Sequence, residues 1–281
     1  MSSRDEHIAP TAYYTSYVWH RIGMPYASLF ATRRGAALFW SFRLSGEWIA
    51  TATPRLPSMT EYLEIRHRLI EHRLGELEPD RVVEIGSGLS RRGITWAADH
   101  GVDYVEVDLP HMIAAKQRRI AERASAALRG KLDGRLRFAS HDVLAPSFTD
   151  FLAGELDGAA RPVVIAEGLL GYFALDERTR IASSVREALA RVGGGSFLCD
   201  LRAREGGAPV AAAATVLRAG IRLVTRGRGA REDFPSLEAV RRFFAAAGFD
   251  RAEPVAQSLL PHLAHVTSPG RIWHAQVGAM D

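Results

Sequence analysis

One stretch limits what this chain can fold into more than any other. It is an apolar strand that ends in an acid and a glycine turn: Val82-Val83-Glu84-Ile85-Gly86-Ser87-Gly88-Leu89-Ser90. Twenty residues beyond Gly88, Asp108 closes a second apolar stretch, Tyr104-Val105-Glu106-Val107. A strand feeding a glycine turn, then a helix, then a strand ending in an acid is the opening unit of a nucleoside-binding parallel sheet. Gly86 and Gly88 lack a Cβ, so a ligand can touch backbone there. The strand-end carboxylate of Asp108 can accept hydrogen bonds from both hydroxyls of a ribose.

The rest of the chain extends this unit. Helical periodicity over Thr60–Leu77 places Tyr62, Ile65, Leu69 and Ile70 on one face, with Leu74 and Leu77 extending it, and Glu78-Pro79-Asp80 ends the run. Strands are expected near 81–85, 103–107, 135–139, 162–166 and 195–200. Helices are expected near 91–100, 110–129, 148–154 and 176–191. Gly101, Gly130 and Gly193-Gly194-Gly195 punctuate the ends. Such alternation means a doubly wound α/β sheet, mostly parallel. After Asp200 the alternation breaks. Residues 203–233 read as an insertion, Ala-rich and then rich in Arg and Gly. Ser236 is then the expected N-cap of a helix whose apolar face is Leu237, Val240, Phe243 and Phe244. Strands near 252–258 and 271–277 would add an antiparallel pair, giving a seven-stranded sheet.

Residues 1–60 differ from the remainder. They carry Tyr13, Tyr14, Tyr17, Trp19, Tyr26, Phe30, Phe39, Trp40, Phe42 and Trp48, broken by Pro25, Pro54 and Pro57. This segment is expected to form short helices that cap the ligand end of the 61–281 domain, because apolar walls with a few polar groups make ligand sites.

The glycine turn selects the cofactor. A dinucleotide turn reads G-x-G-x-x-G around a pyrophosphate, and here the third position is Arg91. Glu84, two residues before Gly86, would repel a diphosphate and suits a cation. S-adenosyl-L-methionine, with its ammonium and sulfonium, fits that demand. Two rivals stand beside this reading. One is a nicotinamide oxidoreductase, opposed by Arg91. The other is a protein of the same fold that binds the cofactor as a partner subunit or catalyses a reaction other than methyl transfer.

With these pieces placed, the chain resembles class I S-adenosylmethionine-dependent methyltransferases of the leucine carboxyl methyltransferase family, which includes O-methyltransferases of polyketide pathways. The resemblance covers roughly residues 60–200. It rests on Glu84-Ile-Gly-Ser-Gly-Leu-Ser-Arg-Arg92, on Glu106-Val-Asp-Leu-Pro110 followed by Lys116, on Ala166-Glu-Gly-Leu-Leu-Gly-Tyr-Phe173, and on Arg66 with Glu71 five residues later. It implies a Rossmann-like methyltransferase fold and a set of roles. Arg66 would pair with the methionyl carboxylate, for which a planar guanidinium is suited. Gly86 and Gly88 would face the cofactor, Asp108 would hold the ribose, and Asp142 would sit by the adenine amino group. Glu167 would face the methionine moiety. Leu109 and Val143, beside the two aspartates, complete the cofactor set, and Glu167 and Tyr172 are the catalytic candidates. Two departures from the family pattern stand out: Ser90-Arg91 where Asp-Thr is usual, and Glu71 where Asp is usual.

Bulk properties narrow the partners. A net charge of +4 is carried almost wholly by arginine, since Lys116 and Lys131 are the only lysines. The densest cluster, Arg222, Arg226, Arg228 and Arg231, lacks the interleaved aromatics of a base-stacking surface, so no nucleic-acid partner is expected. A solvated face or a lid over an anionic acceptor fits it better. No run is long and apolar enough to span a bilayer, and the polar N-terminus lacks a signal-peptide core. The single cysteine, Cys199, allows no internal disulfide. A cytoplasmic protein acting on a small-molecule acceptor is the expectation. The sequence shows no metal-ligand spacing, and the late histidines His262 and His265 are weak candidates for a base. The expected reaction is metal-independent transfer to a carboxylate or a hydroxyl oxygen.

Overall fold

The computed structural model describes residues 5–44, 55–204 and 233–278, and side chains from Pro10 onward. Its centre is a seven-stranded sheet in the order β3-β2-β1-β4-β5-β7-β6. The strands are β1 (Arg81–Ile85), β2 (Asp103–Asp108), β3 (Leu136–Ser140), β4 (Pro162–Ala166), β5 (Gly195–Arg202), β6 (Arg251–Pro254) and β7 (Gly270–Val277). β1 to β5 pair in parallel, and β7 runs antiparallel to both β5 and β6. The expected terminal pair is therefore present. It is not a tight hairpin: β7 inserts between β5 and β6, and single-turn 3₁₀ segments (Gln257–Leu259 and Pro261–Leu263) fill the connection.

The central strands are buried on both faces. Val82 and Val83 are both fully buried, yet they belong to separate apolar clusters because successive side chains point to opposite faces. One cluster joins Val83, Ile85 and Val105 to α7 (Phe148–Leu156), α8 (Leu175–Arg191) and α9 (Leu237–Ala246). The other joins Val82 and Tyr104 to Ile65, Leu69, Ile70 and Leu74 of α3 (Met59–Leu77) and to Ile94 of α4 (Arg92–Asp99). The helix read over 60–77 starts in a reciprocal capping box. Ser58 Oγ accepts from the Glu61 N–H at 3.2 Å, and Glu61 accepts from the Ser58 N–H at 2.8 Å. Ser236 caps α9 as expected, accepting from the Ala239 N–H at 3.1 Å.

The run read as one helix over 110–129 is two. α5 spans Pro110–Arg123 and α6 spans Ala126–Leu132. Ala124 leaves the helical region at ψ 139°, and Ser125 starts again by accepting from the Leu128 N–H. A good N-cap residue inside a helical pattern offers the backbone an alternative to continuing.

Ahead of α3 lie α1 (Asp5–Arg21) and α2 (Arg33–Phe42). α1 has 17 residues, longer than the short helices expected there. Tyr14 and Val18 of α1 pack with Phe39 of α2 against Tyr62 and Leu63 of α3. The stretch read as an insertion falls mostly on residues 205–232, which lie outside the described residues, as do Arg222, Arg226, Arg228 and Arg231. Its two ends meet. Ala203 bridges Phe234, and Arg202 pairs with Asp233 at 2.9 Å.

Candidate active site

The sheet order reverses between β1 and β4: the chain steps outward from β1 to β2 and β3, then crosses back to β4 and steps outward on the other side. In such sheets the ligand crevice opens at the carboxyl ends of the strands flanking that point. A cavity of about 520 Å³ lies there. Its walls include Gly86 and Gly88 after β1, Asp108 and Leu109 after β2, Asp142 and Val143 after β3, and Glu167 after β4, together with Glu84, Arg66 and Tyr172. The residues assigned from sequence to the cofactor, and the catalytic candidates Glu167 and Tyr172, thus reach one cavity, whereas the weaker base candidates His262 and His265 do not.

At one end the carboxylate of Asp108 is gripped by backbone. Oδ2 accepts from the Gly88 N–H at 2.6 Å and Oδ1 from the Leu109 N–H at 2.7 Å. Burial raises its pKa, while these two N–H groups pull against that rise. A carboxylate has about four acceptor positions, so each oxygen keeps one for a ribose hydroxyl. The turn itself demands glycine. Gly86 and Gly88 have φ of 70° and 51°, and a Cβ on Gly86 would come within 2.8 Å of the Leu169 side chain. Asp142 is exposed, and its Oδ1 accepts from the Leu144 N–H at 2.9 Å.

At the other end the carboxylate of Glu167 is gripped by side chains. Arg66 Nε donates to Oε1 at 2.9 Å, His67 Nδ1 lies 2.9 Å from Oε2, and Arg92 Nη2 donates to the same oxygen. Burial alone would raise this pKa. Arg92, His67 and Arg66 together hold it well below the usual carboxylate range. At neutral pH Glu167 is ionised and fully engaged, so it acts as an anchor for Arg66 and is ill suited to take a proton from an acceptor. Arg92 is fully buried and also donates to Glu84 Oε1 at 2.6 Å, while the Tyr104 hydroxyl donates to Glu84 Oε2 at 2.6 Å. Glu84 lines the cavity as expected, but both of its oxygens are occupied from within the protein.

The two departures from the family pattern are one feature in space. Arg91, in place of the usual Thr, donates to Glu71, in place of the usual Asp. Sequence reasoning also passed over Arg92, His67 and Tyr104. The signal available was a second arginine after a glycine turn, at a position where a helix begins inside the core.

Arg66 and Tyr172 also line a second chamber of about 100 Å³ that shares Thr11, Thr15 and Gly168 with the first. The remaining walls include Tyr14, Phe42, Tyr62 and Leu63, with Asp200, Arg202, Asp233 and Arg178 among them. Arg66 Nη1 lies 3.4 Å from Asp200 Oδ2, and its guanidinium sits 5.6 Å from the centre of the Tyr62 ring. Burial raises the pKa of Tyr172, so its phenol stays protonated at neutral pH and can donate a hydrogen bond. His262 and His265 are placed elsewhere, against Glu64 at 3.3 Å and Glu61 at 2.8 Å, and line neither cavity. Among the described residues no group of three or more His, Cys, Asp or Glu is placed to hold a metal, and no helix is long and apolar enough to cross a membrane.

Comparison with known proteins places this geometry. No curated protein matches the chain. Solved structures share the fold. One is a candidate methyltransferase of Thermobifida fusca YX, with 15% identity over 95% of this chain and 94% of that one and a TM-score of 0.56. Another is the S-adenosylmethionine-dependent methyltransferase SibL in its apo form, with 15% identity over 94% and 73% and a TM-score of 0.55. PigF with S-adenosylhomocysteine is similar at 14% identity over 92% and 82%, with a TM-score of 0.50. The leucine carboxyl methyltransferase family model matches residues 19–186, more than half of the sequence. The chain therefore belongs to the leucine carboxyl methyltransferase family, and it is a methyltransferase whose cofactor is S-adenosyl-L-methionine.

Proposed function

We propose that this methyltransferase acts on an oxygen, carboxylate or hydroxyl, of a small and largely apolar acceptor, possessing the character of a natural product, and does so by direct displacement without a metal. The observation that carries this reading is the joined pair of cavities. The larger one has the glycine cradle and the Asp108 carboxylate that a nucleoside cofactor requires. The smaller one shares Arg66, Gly168 and Tyr172 with it, and its walls combine the rings of Tyr14, Phe42, Tyr62 and Tyr172 with the charged groups of Arg178, Asp200, Arg202 and Asp233.

When bound, S-adenosyl-L-methionine supplies a methyl group on a sulfonium that departs as a neutral thioether. Asp108 would hold the ribose and Asp142 would face the adenine. Arg66, fixed by Glu167 and Asp200, would receive the methionyl carboxylate with its remaining N–H groups. The chain's own contribution to rate is alignment and exclusion of water. Tyr172, at the junction, would orient the acceptor oxygen by hydrogen bonding. α1 and α2 act as the cap: Thr11 and Thr15 of α1 line both cavities and Phe42 of α2 lines the smaller. A carboxylate acceptor needs no base, whereas a hydroxyl loses a proton to solvent or to a group in the chamber. The cytoplasm, where the cofactor is made, is the proposed location.

The test is release of S-adenosylhomocysteine across a panel of aromatic and aliphatic acids, phenols and alcohols. Turnover on acids or hydroxyl compounds supports the reading. Tight cofactor binding with no turnover on any oxygen acceptor, and turnover on amines or thiols, would overturn it.

A further inference from the structure

β4 and β5 pair in parallel with Ala166 opposite Cys199, so Gly168 and Asp200 follow close together at the carboxyl edge of the sheet. The Gly168 N–H donates to Asp200 Oδ1 at 2.5 Å, and Arg66 Nη1 donates to Oδ2 at the longer distance of 3.4 Å. Gly168 has a φ of 68°, and a Cβ there would come within 3.1 Å of Arg66 Nη2. Glycine thus lets the backbone lie against the guanidinium and present its N–H to Asp200. Glu167 already holds Arg66 by the shorter bond, at 2.9 Å. A carboxylate has about four acceptor positions. Among the described residues Gly168 and Arg66 are the donors bonded to Asp200, so it can accept further bonds.

Arg66 and Gly168 line both cavities, whereas Asp200 lines the smaller one. The carboxylate therefore stands where the acceptor chamber meets the methionine end of the cofactor cavity, and Tyr172 lines the same junction. The Tyr172 phenol can donate, and the Asp200 carboxylate accepts only. An acceptor hydroxyl both donates and accepts, so it satisfies the two groups together. A carboxylate acceptor has no proton to give and would set its oxygens against those of Asp200. The chamber's other guanidinium groups are engaged: Arg202 with Asp233 at 2.9 Å, and Arg178 with the Phe173 carbonyl at 2.9 Å.

Resting on the reading of an oxygen acceptor, we propose that Asp200 is a catalytic residue that receives the acceptor's hydroxyl proton, and that the acceptor is a hydroxyl compound and not a carboxylic acid. Asp200 Oδ2 takes the proton while the O–H pair stays on the acceptor oxygen. A lone pair of that oxygen forms the bond to the methyl carbon, and the pair of the broken carbon–sulfur bond stays on sulfur. The Asp200 carboxyl then returns its proton to solvent.

The experiment saturates the whole protein with S-adenosylhomocysteine at pH 7.5 and titrates it with 4-nitrophenol and, separately, with 4-nitrobenzoate, on the natural sequence and on Asp200→Asn. 4-Nitrophenol is yellow only as its phenolate. The natural protein is expected to bind the phenol at least about tenfold more tightly than the benzoate, the scale of one charge-assisted hydrogen bond, and to bleach the yellow as it binds. Asp200→Asn should abolish that preference and leave affinity for S-adenosylhomocysteine within about threefold, which also reports a folded variant. On hydroxyl acceptors found by S-adenosylhomocysteine release, Asp200→Asn should lower turnover by at least about a hundredfold. Benzoate bound as tightly as the phenol, yellow that persists on binding, or a chamber that takes neither probe would overturn the proposal. So would an Asp200→Asn variant that loses affinity for S-adenosylhomocysteine and keeps the probe preference, since Asp200 would then serve only to hold Arg66. Should Asp200→Asn fail to fold, the preference and the colour in the natural protein decide. Turnover confined to carboxylic acids overturns this proposal and keeps the oxygen reading, whereas turnover confined to amines or thiols overturns both.

Discussion

The two ends of the cofactor cavity are built by opposite means. At the ribose end Asp108 is held by the N–H groups of Gly88 and Leu109, which belong to the turn and to the next residue. At the methionine end Glu167 is held by Arg66, His67 and Arg92, which come from two helices and lie 75 to 101 residues away. Backbone donors are placed by the fold itself and survive every substitution except one to proline. Side-chain donors must be imported, and each one brings a charge that has to be balanced. Arg92 is therefore tied also to Glu84, and Glu84 to Tyr104. The ribose end is fixed by local geometry, and the methionine end by a network that works as a unit.

The largest expected effect breaks the network. Arg92→Met leaves Glu84 and Glu167 buried beside one another without their shared guanidinium. Removing one partner of a buried pair costs about 3–5 kcal/mol. Urea unfolding should show a loss of that size, whereas a loss under about 1 kcal/mol would mean that water fills the gap and the network is not a unit.

Asp108→Ala addresses the other end, and there the loss should be of binding and not of folding. Two charge-assisted bonds to the ribose, each worth about 1.5–3 kcal/mol, correspond to at least about a hundredfold weaker binding of S-adenosylhomocysteine. The freed N–H groups of Gly88 and Leu109 then face the cavity and can take water. Titration that finds unchanged affinity would remove Asp108 from the cofactor site.

The ends should also differ in the sign of their pH dependence. Glu106, two residues before Asp108, is fully buried against Lys116, and burial pushes its carboxyl up to about 7 although Lys116 opposes the rise. A carboxyl whose pKa is higher in the folded state keeps its proton there between about 4.5 and 7. Its contribution to stability is complete below that window and is lost as pH rises through it, by at most about 1.4 kcal/mol per pH unit. Glu167 has the reverse shift. Its contribution is present above the ordinary carboxylate value and is lost only as pH falls below it. Denaturant titrations from pH 4 to 8 should therefore show stability falling toward pH 7 in the natural protein, and Glu106→Gln should flatten that fall. A fall that persists in Glu106→Gln assigns it to another group.

The smallest effect lies at the junction between the cavities. Tyr172→Phe removes one neutral hydrogen bond, worth about 1 kcal/mol. Turnover should drop about fivefold with the affinity for S-adenosylhomocysteine unchanged. A matching loss of cofactor affinity would place the phenol at the methionine end instead.

The contrast between the ends also explains what could be read in advance. The Gly88–Asp108 relation is written in spacing, because parallel neighbours β1 and β2 carry their ends to the same edge. The centre of the sheet was legible for the same reason: β1, β2 and β4 are short apolar runs set off by glycine or a charge, whereas β3 and β6 are mixed and partly exposed. The break between α5 and α6 was not, since Ala124-Ser125 interrupts a helical pattern without Gly or Pro. At the methionine end the motif pointed to Arg66 and Glu167 singly. Nothing in the order of residues says that Arg92 would turn inward and join them, or that Arg91 and Glu71 would compensate for one another. Contacts between side chains 20 to 101 residues apart are decided by packing of α3 and α4 on the sheet, which no local pattern records.

The clasp formed by Ala203 with Phe234 and by Arg202 with Asp233 has a consequence for how this scaffold can be altered. It closes the chain on itself where β5 ends, so the sheet and α9 are anchored independently of the number of residues that run between them. Loop-closure entropy rises only with the logarithm of length, about 0.6 kcal/mol per doubling. A protein engineer can therefore treat the clasp as a splice point: shorten, lengthen or exchange residues 205–232 there, and the register of β5 against β7 has no reason to change.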